Sequence, residues 1–322
     1  MISARAVDVV IVSFNTRDVL RTCLQSVSMA TPHDIVVVDN ASDDGSRNMV
    51  ATEFPHVRLL ANATNVGYGS AVNQAMGACT APYVLVLNSD TTITCGALTA
   101  VAAYLDRRPG VAVLGPRLVH ADGRLQPSCY GFPTPFNLLV DYSNVCQLLR
   151  ALPLAASLLG TRAHKDARAV RWVSGAAMAI RREAFEAIAG FDKSFFMYFE
   201  EVDLCYRLAQ AGWEVHFAPV TDVVHVGGVS TRKRRNDMAV RFFTSLDHFY
   251  ERHYAGPQHH QMHLIVTLIA VVRLARDSLR GYLARDTRYK EELARDIEAW
   301  LRLLRGDWRA SARLATRNLA RS

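Results

Sequence analysis

Between residues 7 and 114, short runs of aliphatic residues alternate with amphipathic stretches at a steady pace, and few folds accommodate that pattern. VDVVIVS at Val7–Ser13 reads as a buried strand. Asn15-Thr16 can cap a helix running to about Met29, with Val19, Cys23, Leu24 and Val27 on one face. DIVVVD at 34–39 is a second strand, and Ser42-Asp43-Asp44 opens a second helix whose positive end favours carboxylates. Residues 57–60 form a third strand, 68–78 a helix, 83–87 (YVLVL) a fourth strand, 94–106 a helix and 111–114 a further strand. Strand and helix alternating in this way predict an α/β fold: a mostly parallel, Rossmann-like sheet flanked by helices. Ligands of such sheets bind beyond the carboxyl ends of the strands. Three polar motifs fall there: Ser13-Phe14-Asn15, Asp39-Asn40 and Asn88-Ser89-Asp90.

After Gly115 the pattern changes. HADGR at 120–124 carries the hairpin signal Asp122-Gly123. Residues 127–169 read as irregular, with an apolar stretch at 148–159, and a second ordered block runs from 170 to about 229. Beyond Tyr254 the chain reads as helices. Half of the 322 residues are hydrophobic, enough for a substantial core, so global disorder is excluded. The six cysteines form no C-x-x-C pair and read as buried reduced thiols rather than a zinc site. No signal peptide and no long uninterrupted apolar run is evident, which leads to the expectation of a cytoplasmic protein. Net charge is +7, and the segment from Gln261 to Ser322 alone holds 13 Lys and Arg against 7 Asp and Glu. Such asymmetry suggests a basic tail meeting an anionic surface.

Several residues carry chemistry, each with a plainer alternative. Asp39 ends a buried strand and can accept the imide N–H of a pyrimidine; it equally suits a turn with a helix cap. Asp90 can hold a divalent metal that bridges two phosphates, since Mg2+ and Mn2+ favour oxygen ligands; a capping role fits as well. Asn65-Val66-Gly67-Tyr68-Gly69 holds a G-x-G without a third glycine in place, and the first strand leads into Ser-Phe-Asn-Thr, so a dinucleotide-binding Rossmann enzyme is disfavoured. In FFMYFEEVDLCYR, Glu200, Glu201 and Asp203 follow five hydrophobic residues. An acid beside apolar surface acquires the raised pKa of a general base. The same acids also suit the first turn of a helix, with Asp203 pairing to Arg207 at i,i+4. His225 can ligate metal or be structural. The run Arg232-Lys233-Arg234-Arg235 can clamp phosphate or be a solvated loop, and Trp172 and Trp213 suit core or pocket wall.

Taken in order, VDVVIVSFN, IVVVDNASDDGS, NVGYGSAVNQAM, YVLVLNSDT, WVSGAAMAIRREAF, GFDKSFFMYFEEVDLCYRLAQAGW and HVGG resemble glycosyltransferase family 2, with the GT-A fold, over roughly residues 7–230. The N-S-D and F-F-M-Y-F-E-x-V-D-L variants resemble its rhamnosyltransferase branch, which builds bacterial surface polysaccharide from dTDP-rhamnose.

The resemblance implies an inverting, metal-dependent transfer of a sugar from a nucleotide diphosphate, dTDP- or UDP-linked, to a glycan or polyprenyl-linked acceptor. Ser13 and Asn15 would lie near base and ribose, Asp39 would read the pyrimidine, and Asn65, Gly67 and Asn73 would shape the nucleotide pocket. Asp90 matches the last acid of the family's D-x-D, with Asn88 where the first acid often stands, and with His225 it would bind Mg2+ or Mn2+. Glu201 inherits the role of base, with Asp203 as fallback, and Glu200 and Trp172 are assigned to the acceptor. Residues 1–115 then form the nucleotide-sugar-binding half, 116–254 the acceptor and catalytic half of the same GT-A domain, and 255–322 a helical basic extension. A non-catalytic nucleotide-sugar binder on the same fold and a nucleotidyltransferase are the rivals; the first needs no Glu201, and the second releases pyrophosphate.

The C-terminal region is expected to hold the enzyme on the inner face of a plasma membrane. Residues 263–274 are strongly apolar, with Leu264, Leu268 and Val271 on one face, yet too short to span a bilayer. Arg305, Arg309, Arg313, Arg317 and Arg321 recur every four residues, with Leu301, Leu304, Trp308 and Leu314 around them. A basic amphipathic helix lies in an interface. A helical appendage packed on the protein is the alternative; nucleic acid is not expected as a partner.

Overall fold

The computed structural model describes residues 7–30, 32–135, 137, 138, 164–227, 235–254, 256–284 and 286–309, with the backbone alone at 235–237, 288 and 292. The apolar stretch 148–159, Cys146, Arg232–Arg234, Arg313, Leu314, Arg317 and Arg321 lie outside the described residues. The described residues fall into two compact units. One is drawn from Met1–Phe132, Gly160–Phe196 and Glu200–Ser230, the other from Pro133–Leu159, Met197–Phe199 and Thr231–Ser322.

In the first unit, β1 (Val7–Ser13), β2 (Ile35–Asp39), β3 (Arg58–Ala61) and β4 (Tyr83–Asn88) lie parallel in the order β3-β2-β1-β4. Helices α1 (Arg17–Met29), α2 (Ser46–Glu53) and α3 (Tyr68–Met76) connect them in sequence. β1 explains why the strands read as unbroken apolar runs. Val9 and Ile11 pack with Leu20, Leu24 and Val50 of α1 and α2, while Val10 packs with Ala71, Val72 and Ala75 of α3 on the opposite face. Both faces are dry, so alternation of polar and apolar residues is absent. Register aligns the strand ends: Ser13 stands opposite Asp39, and Val12 opposite Asn88.

The rest of the unit runs through β5 (Thr91–Ile93), α4 (Ala97–Asp106), β6 (Val111–Val119), β7 (Leu125–Gln126), β8 (Cys129–Tyr130), β9 (Arg168–Val170), β10 (Trp172–Val173), β11 (Ala177–Arg181), α5 (Arg182–Ala187), α6 (Glu200–Gln210) and β12 (Glu214–His225); β8 and β10 form a separate antiparallel ribbon, and the other strands continue the sheet. β11 runs antiparallel between β4 and β6, and β12 pairs parallel to β6 and antiparallel to β5. The sheet is thus mostly parallel with antiparallel insertions. The expected hairpin joins β6 to β7: Gly123 has φ +80°, and the His120 N–H donates to the Arg124 carbonyl at 2.8 Å.

Local departures have local causes. Thr16 does not cap α1 with its side chain, because its hydroxyl donates to Ser89 Oγ at 2.8 Å. The second helix begins at Ser46 rather than Ser42, because Asp44 Oδ1 accepts from the Ser46 N–H while Oδ2 accepts from the Arg17 N–H. The fourth helix begins at Ala97 because residues 91–93 are drawn into pairing with β12. Cys23, Cys79 and Cys205 are buried as expected, their thiols pushed up to about 12 by burial, whereas Cys95 is exposed.

In the second unit, α7 (Arg235–His253), α8 (Pro257–Leu283) and α9 (Thr287–Arg305) pack on one another. Gly256 (φ +69°) turns the chain and Pro257 starts α8 where no amide donor is needed. Met262, Val266, Ile269, Ala270 and Asp277 form the inward face of α8. Two features differ from the expected arginine stripe. Gly306, at φ +82°, ends α9, so Arg305 and Arg309 are not on one continuous helix. Trp308 is buried, its indole N–H donating to the Leu303 carbonyl at 2.9 Å, and so adds nothing to an exposed apolar surface.

Candidate active site

The carboxyl ends of β1, β2 and β4 are tied into one rim. Ser13 is fully buried, its hydroxyl 3.0 Å from Thr16 Oγ1, which in turn reaches Ser89. Asn15 takes a left-handed φ of +54° and links two loops: its N–H donates to Ser42 Oγ at 2.9 Å, and its Oδ1 accepts from the Asp43 N–H at 2.8 Å. Asp39 is buried behind this link. Its Oδ2 accepts from the Ser42 N–H at 3.0 Å and from Arg47 Nε at 2.6 Å, while Oδ1 is buried without a partner among the described residues. A buried acceptor left unmatched costs on the order of 1–3 kcal/mol, so a ligand N–H brought to Oδ1 recovers that cost. Arg47 was not singled out from the sequence. It is the second residue of α2, in the turn that directly follows the loop.

A second layer shapes the neighbouring loop. Asn65 Oδ1 accepts from the Gly67 N–H at 3.0 Å, and Asn40 Nδ2 donates to the Gly67 carbonyl at 3.1 Å. Gly67 has φ +87°, and a Cβ there would stand 2.5 Å from the Phe196 carbonyl oxygen, so only glycine fits. Asn73 has both ends of its amide engaged by Phe191, donating to its carbonyl at 2.8 Å and accepting from its N–H at 2.9 Å. It ties α3 to the chain that leads into FFMYF.

Asp90 and His225 come together although 135 positions separate them. His225 Nε2 lies 3.3 Å from Asp90 Oδ1, and His225 Nδ1 lies 3.1 Å from Gln126 Oε1. Nε2 is thereby turned to the carboxylate oxygen, where it serves either as a hydrogen-bond partner of Asp90 or as a second ligand beside it for a cation. Asp90 Oδ2 accepts from the Gly227 N–H at 3.1 Å, which fixes the carboxylate. This pair fits a divalent ion of the Mg2+ or Mn2+ kind. Asn88, at the end of β4, has its backbone N–H on the Ala176 carbonyl at 3.0 Å. Gln126, 99 positions from His225 in sequence, carried no signal.

α6 presents the acids. Glu200 and Glu201 each keep one buried carboxylate oxygen, Oε2, without a partner among the described residues. Burial lifts the Glu200 carboxyl well above its ordinary value, and the neighbouring Glu201 charge lifts it further. Burial also raises Glu201, against the lowering effect of backbone hydrogen bonds at Glu201 and Gly175. Tyr68 closes the group. Its hydroxyl donates to the Gly175 carbonyl at 2.8 Å, and burial followed by the charges of Glu200 and Glu201 holds it well above its ordinary pKa. Asp203 behaves differently. It is fully buried and pairs with Arg207 at 2.7 Å, and Arg207 also donates to the Ile188 and Gly190 carbonyls. It thus takes the i,i+4 pairing that the sequence offered as its alternative. Trp172 stacks on Tyr130 (centroids 4.4 Å apart, 24° between planes) and donates to the Gly131 carbonyl, a half-buried platform on the β8–β10 ribbon.

Residues 4–244 match the family model described as glycosyltransferase-like family 2. The chain belongs to this family. It is a glycosyltransferase of the rhamnosyltransferase-like branch. It is 32% identical over 236 residues to an N-acetylglucosaminyl-diphospho-decaprenol L-rhamnosyltransferase of Mycobacterium tuberculosis, covering 69% of this chain and 76% of the relative. It is 22% identical over 225 residues to the rhamnosyltransferase WbbL of Escherichia coli, covering 67% of this chain and 82% of that one. A mannosyltransferase from Pyrobaculum calidifontis, solved with GDP-Man and Mn2+, superposes with a TM-score of 0.55 at 17% identity, over 92% of this chain and 86% of that one, and shares the fold. The glycosyltransferase therefore works in glycan synthesis.

Proposed function

We propose that this glycosyltransferase inverts configuration, depends on a divalent ion, and moves L-rhamnose from dTDP-rhamnose to a polyprenyl-linked glycan. The observation that carries the reading is the buried pair Glu200–Glu201, each with one carboxylate oxygen that has no partner among the described residues. Two adjacent buried carboxyls do not both ionise readily. Burial raises both carboxyls, and the charge of Glu201 raises Glu200 further; in this reading Glu200 orients the acceptor and Glu201 is the base. Glu201 takes the proton of an acceptor hydroxyl. That oxygen bonds to the anomeric carbon from the side opposite the diphosphate, the carbon–diphosphate bond breaks, and the nucleotide diphosphate leaves with the bonding pair. Asp90 and His225 would hold Mg2+ or Mn2+, which would supply charge neutralisation for the leaving diphosphate.

Residues 1–115 serve the donor and 116–254 the acceptor and base. Asp39 Oδ1 accepts the imide N–H that thymine and uracil share, with Ser13, Asn15, Asn65 and Gly67 around it. Rhamnose and the lipid diphosphate rest on the names of the relatives. A thermal-shift panel tests the donor. dTDP-rhamnose is expected to stabilise the protein most, UDP-glucose and UDP-galactose less, and GDP-mannose least; stabilisation by GDP-mannose alone overturns the assignment.

The residues from 255 on act as a peripheral anchor on the cytoplasmic face. Among the described residues no helix is long and apolar enough to cross a membrane. α8 nevertheless exposes Leu264 (71%), Leu268 (52%), Val271 (48%), Leu279 (60%) and Tyr282 (85%), away from its buried face. Such a surface suits the headgroup–acyl boundary, and each basic residue near anionic lipid adds about 1 kcal/mol. Full-length protein is expected to co-float with anionic liposomes at low salt, and Leu264→Asp/Leu268→Asp to lose most of that binding. Equal flotation of the double variant sinks the anchor.

A further inference from the structure

A second group of metal-ligating side chains lies in the C-terminal unit, outside the sugar-transfer chemistry. His259 and His263 stand one turn apart near the start of α8, and i,i+4 spacing puts both imidazoles on one helix face. α7 delivers Asp247, nearly fully buried, to the same point. Nε2 of each histidine lies 2.6 Å from a single oxygen, Asp247 Oδ1. All three potential ligand atoms lie within 4.8 Å of one another. One carboxylate oxygen rarely takes two N–H donors this closely, since ordinary N–H···O bonds run about 2.7–3.2 Å. Replacing the two protons by one cation turns a crowded acceptor into three convergent ligands.

The shell around them supports the rings. Tyr250 stacks against His259 (centroids 6.4 Å, 29°), and Trp308 meets His263 edge-on (4.8 Å, 76°). Fixed ring planes are what an imidazole ligand needs from its surroundings. Two nitrogen ligands and one carboxylate oxygen favour Zn2+ or its transition-metal neighbours over Mg2+ and Ca2+. Ligand atoms on a four-coordinate Zn2+ stand about 3.4 Å apart, so the two 2.6 Å N···O spacings would have to open by under about 1 Å to admit the ion, a shift within reach of side-chain rotation.

We propose that Asp247, His259 and His263 form a Zn2+-class site that pins α7 to α8. α7 also supports the chain ahead of the catalytic acids. Ser245 Oγ donates to the Met197 carbonyl at 2.8 Å, and Phe242 and Phe249 pack on Phe199 at 5.2 and 5.8 Å. Tyr198 and Phe199 hold left-handed φ of +68° and +67°, a conformation that bulky residues keep only when their surroundings impose it. A bound ion stiffens that support, and the strained pair leads covalently into Glu200.

The test uses metal-stripped full-length protein in excess Mg2+, which satisfies the Asp90 site. Added Zn2+ is expected to raise Tm by roughly 3–8 °C at about a hundredfold above Kd. Co2+ in Zn2+'s place is expected to give the ligand-field bands of a four-coordinate ion at one equivalent. His263→Gln, which still donates to Asp247, is expected to lose the bands. Its Zn2+ affinity should fall by more than the roughly 10–100-fold cost of losing an outer-shell partner. Asp247→Asn, nearly the same shape, serves if the histidine variant folds poorly. Asp90→Asn is expected to keep the bands. Absence of the bands and of the Tm response in the parent protein, or bands that survive His263→Gln and vanish with Asp90→Asn, overturns the proposal.

Discussion

Replacing Glu201 by Gln is expected to lower kcat by about 10³-fold and leave donor affinity within about threefold, the range in which a general base works. The change keeps shape and removes only the ionisable oxygen. It places a neutral group where burial already penalises charge, so thermal stability is expected to hold or rise. That separates chemistry from folding. Single-turnover transfer and the dTDP-rhamnose thermal shift, measured side by side, check it. Turnover within about threefold of the parent rejects Glu201 as base.

With Glu201 as the proposed base, the same residue is expected to set the pH profile. Glu201 must be ionised to act, and burial has raised its pKa. The acid limb of kcat therefore lies above the ordinary carboxylate range, and activity climbs as pH rises through the raised value. Stability moves the other way. A carboxyl whose folded pKa exceeds its unfolded one favours the fold at low pH, below the unfolded value, and loses that contribution as pH rises through the folded value. Glu200 is the stronger case, since burial and the Glu201 charge act together on it. The raised carboxyls of α6 therefore lower stability as pH climbs through their folded values.

How much of this was legible in the sequence follows from the range of each interaction. β1, β2 and β4 were readable because strands covered on both faces must be apolar throughout. The rim motifs were readable because parallel strands end together, as the pairing of Ser13 with Asp39 shows. β11 was not readable as antiparallel, since direction is decided by partners about ninety residues away. Gln126 was invisible for the same reason, and so was the meeting of Asp247 with His259 and His263, which depends on how two helices pack. Asp203 and Trp308 show the reverse limit. Asp203 takes the arginine one turn on that the sequence also offered it, and Trp308, read from its type as apolar surface, is engaged by a carbonyl five residues back.

Chelation with EDTA is expected to lower activity by about 10²–10³-fold, equivalent to about 3–4 kcal/mol of leaving-group stabilisation, with recovery on adding Mg2+ or Mn2+. Asp90 is placed for this role. Its Oδ2 is held by the Gly227 N–H, and its Oδ1 faces His225 Nε2 at 3.3 Å. Asp90→Asn retains an oxygen for Gly227 but loses the charge that draws a cation, so the fold is expected to survive. Activity is expected to fall as far as it does with EDTA, without recovery at any Mg2+ or Mn2+ concentration. His225→Gln removes the nitrogen while a carboxylate remains, and a smaller loss, about tenfold, is expected, offset in part by higher metal. Gln126→Leu acts one step further out. It frees Nδ1 and lets the imidazole turn, which is expected to raise the metal concentration needed for half-maximal rate with little change in the maximal rate. Full activity in EDTA-treated protein, or an Asp90→Asn enzyme that still answers to added metal as the parent does, excludes Asp90 as the metal ligand.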